Sequence, residues 1–275
     1  MEVVGYLGVY SGDPATGLPA GFAGTATIAV NSIGPTLSAV INEVGPNGQF
    51  SSYDAVAAGS QTLDAPVALR NAFGGYNTGM AIQNLTGSAG TVSITYYTAS
   101  GSVAATKSAP IAANGYLGVY QGSDIPAAGA YSAKISASAG ITLAAVVNEV
   151  GPPTTGGAQL STSYNTLSAG SPVVHLPLVE NAGPDGWSTG EGIMNTGSGA
   201  TLVTVSYFDP QTGQPIGSSV SQTLAPLAFW GVYQPSAGLP AGRRATATVT
   251  TGPGGAIAVI CNEQSPTTFM SYDGQ

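Results

Sequence analysis

Leu143-Ala144-Ala145-Val146-Val147-Asn148-Glu149 decides the fold. Its apolar run is short and lacks 3.6-residue periodicity, so it reads as a β-strand covered on both faces. The same pattern, closing in the same Asn-Glu pair, returns as Leu37-Ser38-Ala39-Val40-Ile41-Asn42-Glu43 and as Ile257-Ala258-Val259-Ile260-Cys261-Asn262-Glu263. A Gly-Val-Tyr landmark precedes each run, at Gly8-Val9-Tyr10, Gly118-Val119-Tyr120 and Gly231-Val232-Tyr233. A Ser-Tyr landmark follows each, at Ser52-Tyr53-Asp54, Ser163-Tyr164-Asn165 and Ser271-Tyr272-Asp273. Equivalent Glu residues lie 106 and 114 positions apart, and landmarks kept in order at that spacing define a tandem repeat.

A second block occurs only twice. Thr78-Gly79-Met80-Ala81-Ile82-Gln83-Asn84 matches Thr189-Gly190-Glu191-Gly192-Ile193-Met194-Asn195, and Thr91 to Tyr97 matches Leu202 to Phe208. The 275 residues therefore divide into two complete units, 66–171 and 172–275, preceded by an incomplete unit, 1–65, that holds only the back half. Runs rich in Val, Ile, Thr and Tyr, separated by Gly, Pro, Asn and Asp, make the chain all-β with helix nearly absent. Each complete unit has the size of an antiparallel two-sheet sandwich of seven or eight strands.

These repeated blocks, Thr-Gly-x-x-Ile-x-Asn, a Thr/Val/Tyr strand, a Gly turn and an Ala-Val-x-Asn-Glu strand, resemble tandem immunoglobulin-like β-sandwich repeats of bacterial secreted and cell-surface proteins. The resemblance covers essentially the whole chain. It implies a spacer, adhesive or lattice-forming role and no catalytic set.

Composition narrows the function classes. Charged residues make up only 7%, with five Lys plus Arg against thirteen Asp plus Glu and a net charge of -8. No basic patch exists to neutralise phosphates, so nucleic acid is not an expected partner. No run of about twenty apolar residues marks a membrane span. The polar, Lys-poor, Gly/Ser/Thr-rich composition fits an extracellular or cell-surface protein, whose export signal would be absent from this sequence.

Candidate functional residues are few. Asn42-Glu43, Asn148-Glu149 and Asn262-Glu263 recur without a partner acid, His or Lys, so they read as fold-keeping strand-end contacts to a turn or a Tyr hydroxyl. Tyr10, Tyr120 and Tyr233, with Tyr53, Tyr164 and Tyr272, read as core or rim packing with hydroxyls bonded back to backbone, or as a row on which sugars stack. Trp187 and Trp230 are the candidate glycan contacts. Asn84-Leu85-Thr86 is the one N-glycosylation sequon. Cys261 stands where Ile41 and Val147 stand in the other units and reads as a small buried hydrophobe. His175 has no second His to build a metal site or triad. Glu180, Asp185 and Glu191 gather near one loop, but the matching loop, Asn71 to Gly79, has no acid and the spacing is not that of a calcium loop. No catalytic, cofactor or metal residue is assigned.

The incomplete unit carries the functional expectation. A half sandwich of about four strands presents an unpaired edge and an uncovered apolar face, both of which invite association. Three closures are open: the sequence is part of a longer array, the half packs on the next unit as an extra sheet, or neighbouring copies supply strands, in which case the contacts propagate head-to-tail. The sequence therefore predicts a homopolymeric filament, sheath or surface layer, with a carbohydrate-binding or adhesin module as the alternative and polysaccharide as its partner.

Overall fold

A computed structural model describes residues 7–31, 37–45 and 48–274. The chain is all-β, and every strand pair is antiparallel. A hairpin of β1 (Val40–Val44) and β2 (Phe50–Asp54) comes first. The first sandwich follows, with β3 (Thr62–Arg70), β4 (Asn77–Asn84), β5 (Gly90–Tyr97), β6 (Val103–Ile111), β7 (Tyr116–Tyr120), β8 (Gly129–Ala137), β9 (Leu143–Pro153) and β10 (Gln159–Asn165). Its sheets are ordered β3-β8-β5-β6 and β10-β9-β4-β7.

The second sandwich repeats this plan with β11 (Val173–Asn181), β12 (Ser188–Asn195), β13 (Thr201–Phe208), β14 (Val220–Leu224), β15 (Phe229–Tyr233), β16 (Arg243–Thr251), β17 (Ile257–Gln264) and β18 (Phe269–Asp273). Its sheets are β11-β16-β13-β14 and β15-β12-β17-β18, which match the first pair strand for strand. Strand β3 begins at Thr62, ahead of residue 66.

Alternation does the sorting. In β13, Val203, Val205 and Tyr207 point inward, and in β16, its neighbour in the same sheet, Ala245, Ala247 and Val249 point to the same side. In β9 and β17 the apolar runs are buried on both faces, because each is a central strand with something packed outside it. The register of β3 against β8 shifts between Ala65 and Ala68, and that of β11 against β16 between Leu176 and Val179. Pro66 and Pro177 sit at these bulges, since proline has no N–H to give to a ladder.

The first block forms two strands among the described residues rather than about four. Residues 7–31, which align with β7 and β8, hold one 3-10 turn, Pro14–Thr16, and no strand. The ladder explains this. In the complete units β7 pairs only with β4, and β8 pairs with β3 and β5. All three partners belong to the front half that the first block lacks. Only the β9–β10 type of hairpin closes on itself, and its equivalent, β1–β2, is what forms.

Two cores result, and the first is not confined to its own sandwich. Phe229, Ile260 and Phe269 of the second sandwich are buried in the core of the first. Among the described residues no helix is long and apolar enough to cross a membrane.

Candidate functional site

The junction between repeats is where the polar landmarks converge. It begins with Tyr164 on β10, whose fully buried ring crosses to the bulge in β3. There the hydroxyl donates to the Val67 carbonyl at 2.5 Å and accepts from the Val67 N–H at 3.2 Å. The proline bulge takes that backbone out of the ladder, and the tyrosine satisfies it. Tyr272 makes the same bond to the Leu178 carbonyl in the second sandwich.

Pinned in this way, β3 lies against the outer face of the second sandwich. A Cβ at Gly192 would collide with the Val67 side chain, so glycine there makes the seat for Val67. Beside it the Phe269 ring meets Tyr76 edge-on, with centroids 5.3 Å apart at 64°. Strand neighbours point to opposite faces. Hence Ile260 and Asn262 of β17 face the first sandwich, while Val259 and Cys261 face the second core. Asn262 Nδ2 donates to both carboxyl oxygens of Glu149, at 3.1 and 3.0 Å.

Strands β10 and β18 lie side by side in matching positions. Ser271 Oγ donates to the carbonyl of its own equivalent, Ser163, at 3.0 Å, and sits 2.8 Å from Thr162 Oγ1. The hairpin repeats this one step earlier. Ser161 Oγ donates to the carbonyl of its equivalent, Phe50, at 3.2 Å, and Asn165 Nδ2 to that of Asp54 at 2.9 Å. One stacking operation thus relates β2 to β10 and β10 to β18.

The three Asn-Glu pairs are in three different states. Glu43 is exposed. Glu149 is fully buried, and burial pushes its carboxyl up to about 8 against the opposing hydrogen bond from Asn262. Glu263 is buried with no partner for Oε1; burial and then the nearby Glu180 push it up to about 7. The donor to Glu149 is the asparagine of the following repeat, neither a turn nor a Tyr hydroxyl. Sequence spacing contained both residues, but not the register that pairs positions so far apart.

The burial of Glu191, which the sequence places with the loop acids, escaped that reading. Glu191 lies inside the second sandwich, where Gln234 Nε2 donates to Oε1 at 2.7 Å and to the Tyr207 hydroxyl at 3.0 Å. Burial raises Glu191 to about 8. Glu191 therefore does not join Glu180 and Asp185, both of which are tied to Arg244. The signal was its place in the strand pattern, opposite the apolar Met80 of the first unit.

The remaining candidates sort as follows. Tyr120 and Tyr233 are exposed on the outer faces of β7 and β15, because alternation turns Val119 and Val232 inward; Tyr10 is exposed as well, so neither core nor rim packing describes these three. Trp230 packs against the second core and Trp187 is half-buried at the far end of β12, so they form no shared exposed row. Asn84 is fully buried; its Nδ2 donates to the Ser88 and Ala112 carbonyls, and its Oδ1 accepts from Thr86. The folded chain leaves no room for a glycan on that nitrogen. Asn195 makes the equivalent bonds to Gly199 and Leu224 without any sequon, which identifies the position as a loop clamp. Cys261 is free and buried, its thiol raised by burial. His175 is exposed beside Thr248.

A shallow groove of about 250 Å³ opens on the outer face of the first sandwich, floored by Gly79, Ala81 and Gly118 and flanked by Tyr116, Tyr120 and Asn148. It is the counterpart of the Gly192 seat that Val67 fills one repeat later. No protein-family model and no curated protein matches the chain.

Proposed function

We propose that this chain is an extracellular structural protein whose copies associate through β-sheet contacts into a filament, sheath or surface layer. The observation that carries the reading is the β1–β2 hairpin, a two-stranded sheet with Val40, Val44 and Phe50 exposed. The hairpin packs on β10 yet leaves these side chains to solvent, and exposed apolar strands are templates for association. The sparse charge supports it, because little repulsion opposes close packing of copies. The Gly/Ser/Thr-rich, Lys-poor composition supports placement outside the cell or on its surface. The reading includes no catalytic role.

The immunoglobulin-like likeness is one of architecture. In an immunoglobulin domain the first strand shares a sheet with the second, and the sixth with the seventh. Here the first pairs with the sixth, β3 with β8, and the second with the seventh, β4 with β9.

Sedimentation velocity and negative-stain electron microscopy test the reading. Purified protein at micromolar concentration is expected to form concentration-dependent elongated or sheet-like particles. A monodisperse monomer across the accessible concentration range overturns it.

The flanking of Gly118 by Tyr116 and Tyr120 favours a second reading, a polysaccharide platform. Its small volume, below the roughly 300 Å³ of ordinary ligand pockets, weighs toward a seat for one protein side chain. On the polysaccharide reading, Tyr120→Ala abolishes pull-down by insoluble polysaccharide. Absence of binding by the unaltered chain removes that reading.

A further inference from the structure

We infer that the outer face of the β1–β2 hairpin docks onto the end of the second sandwich that carries Trp187 and Met270 in another copy, reproducing between chains the junction that joins the two sandwiches within one chain. The inference rests on the self-association reading above and names its contact.

The internal junction serves as template. Its donor side is Ile260, Asn262 and Phe269, with Ser271 alongside. Its acceptor side is Tyr76, Glu149, Thr162 and Tyr164. Aligned on the repeat, the hairpin carries the donor set again as Val40, Asn42, Phe50 and Ser52. Ile260 and Phe269 are 0% and 7% exposed, whereas Val40 and Phe50 are 61% and 57% exposed. The hairpin thus displays, open to solvent, the apolar residues that the second sandwich buries.

The end of the second sandwich away from the first carries the acceptor set as Trp187, Glu263, Met270 and Tyr272. Trp187 takes the place of Tyr76 and offers its ring to Phe50. Glu263, 6% exposed with Oε1 unpartnered, takes the place of Glu149 and awaits Asn42. Met270 is exposed where Thr162 meets Ser271, and would meet Ser52. The two surfaces differ from each other, so the contact is heterologous and propagates. It leaves the hairpin's existing contact with β10 intact, so the stack runs on as β2, β10, β18, then β2 of the next copy.

Two blocked chains test this, each checked for an unchanged melting curve. Phe50→Asp disables the hairpin side, and Met270→Arg, a substitution of an exposed side chain, disables the other. Trp187→Ala serves as a second variant of that side. Sedimentation velocity is expected to show association of each single variant weakened by about tenfold or more. An equimolar mixture of Phe50→Asp and Met270→Arg chains retains one intact pair of surfaces and is expected to stop at a dimer. If the variants assemble as the unaltered chain does, or their mixture forms no dimer, this contact is wrong while self-association stands. If the unaltered chain never associates, the broader reading itself fails.

Discussion

Lowering the pH from 8 to 5 raises the stability of the folded chain by several kcal/mol. Glu149 and Glu191 are both fully buried, and burial holds each near 8 against an ordinary value of 4.5. Between those two values the folded chain keeps two protons that the unfolded chain has released. The stabilisation is therefore complete below about 4.5, declines as pH rises, and is gone above about 8. Each group contributes a slope of about 1.4 kcal/mol per pH unit inside that window. The surroundings suit the neutral acid. Glu191 Oε2 and Gln234 Oε1 both lack partners, as does Asn262 Oδ1 beside Glu149. A protonated carboxyl donates to the amide oxygen while accepting from the amide nitrogen, which satisfies both. Denaturant melts at pH 5 and 8 check this. Glu149→Gln and Glu191→Gln are each expected to stabilise the chain at pH 8 and to flatten the pH dependence, most fully when combined. Stability that rises from pH 5 to pH 8 would contradict the assignment.

Tyr164→Phe costs about 2–6 kcal/mol, a large loss for the removal of one oxygen atom. The hydroxyl is the partner of both the N–H and the carbonyl of Val67, and each becomes an unsatisfied buried group worth about 1–3 kcal/mol. Tyr272→Phe destabilises the second sandwich through the equivalent bond to Leu178. Tyr53→Phe is the control. Tyr53 aligns with Tyr164, but the described residues of the first block form no strand corresponding to β3, so the change stays within about 0.5 kcal/mol. Equal effects at positions 53 and 164 in denaturant titrations would refute this role for the tyrosine.

The repeat, the strand content and the double-sided burial of β9 and β17 were legible because they are written in local pattern and in spacing. The landmarks at Asn148-Glu149 and Tyr164 were legible as positions but not as contacts. What Glu149 meets depends on how the second sandwich stacks on the first, and no local pattern encodes that step. The tyrosines show the same limit. The Gly-Val-Tyr and Ser-Tyr landmarks look alike in sequence, yet Tyr120 lies on an outer face and Tyr164 at the core, since strand parity relative to the neighbouring sheet decides which way each points. Asn84 misled for a related reason. A sequon reads three residues, whereas the Ala112 carbonyl that occupies the amide arrives from the end of another strand.

The burial of Phe229, Ile260 and Phe269 in the preceding core has a mechanical consequence. The two sandwiches share a wall instead of hanging from a tether, so flexing at the boundary would wet those three side chains. A pull that separates the two sandwiches must expose those side chains together, so the pair should move as one body until the shared wall tears.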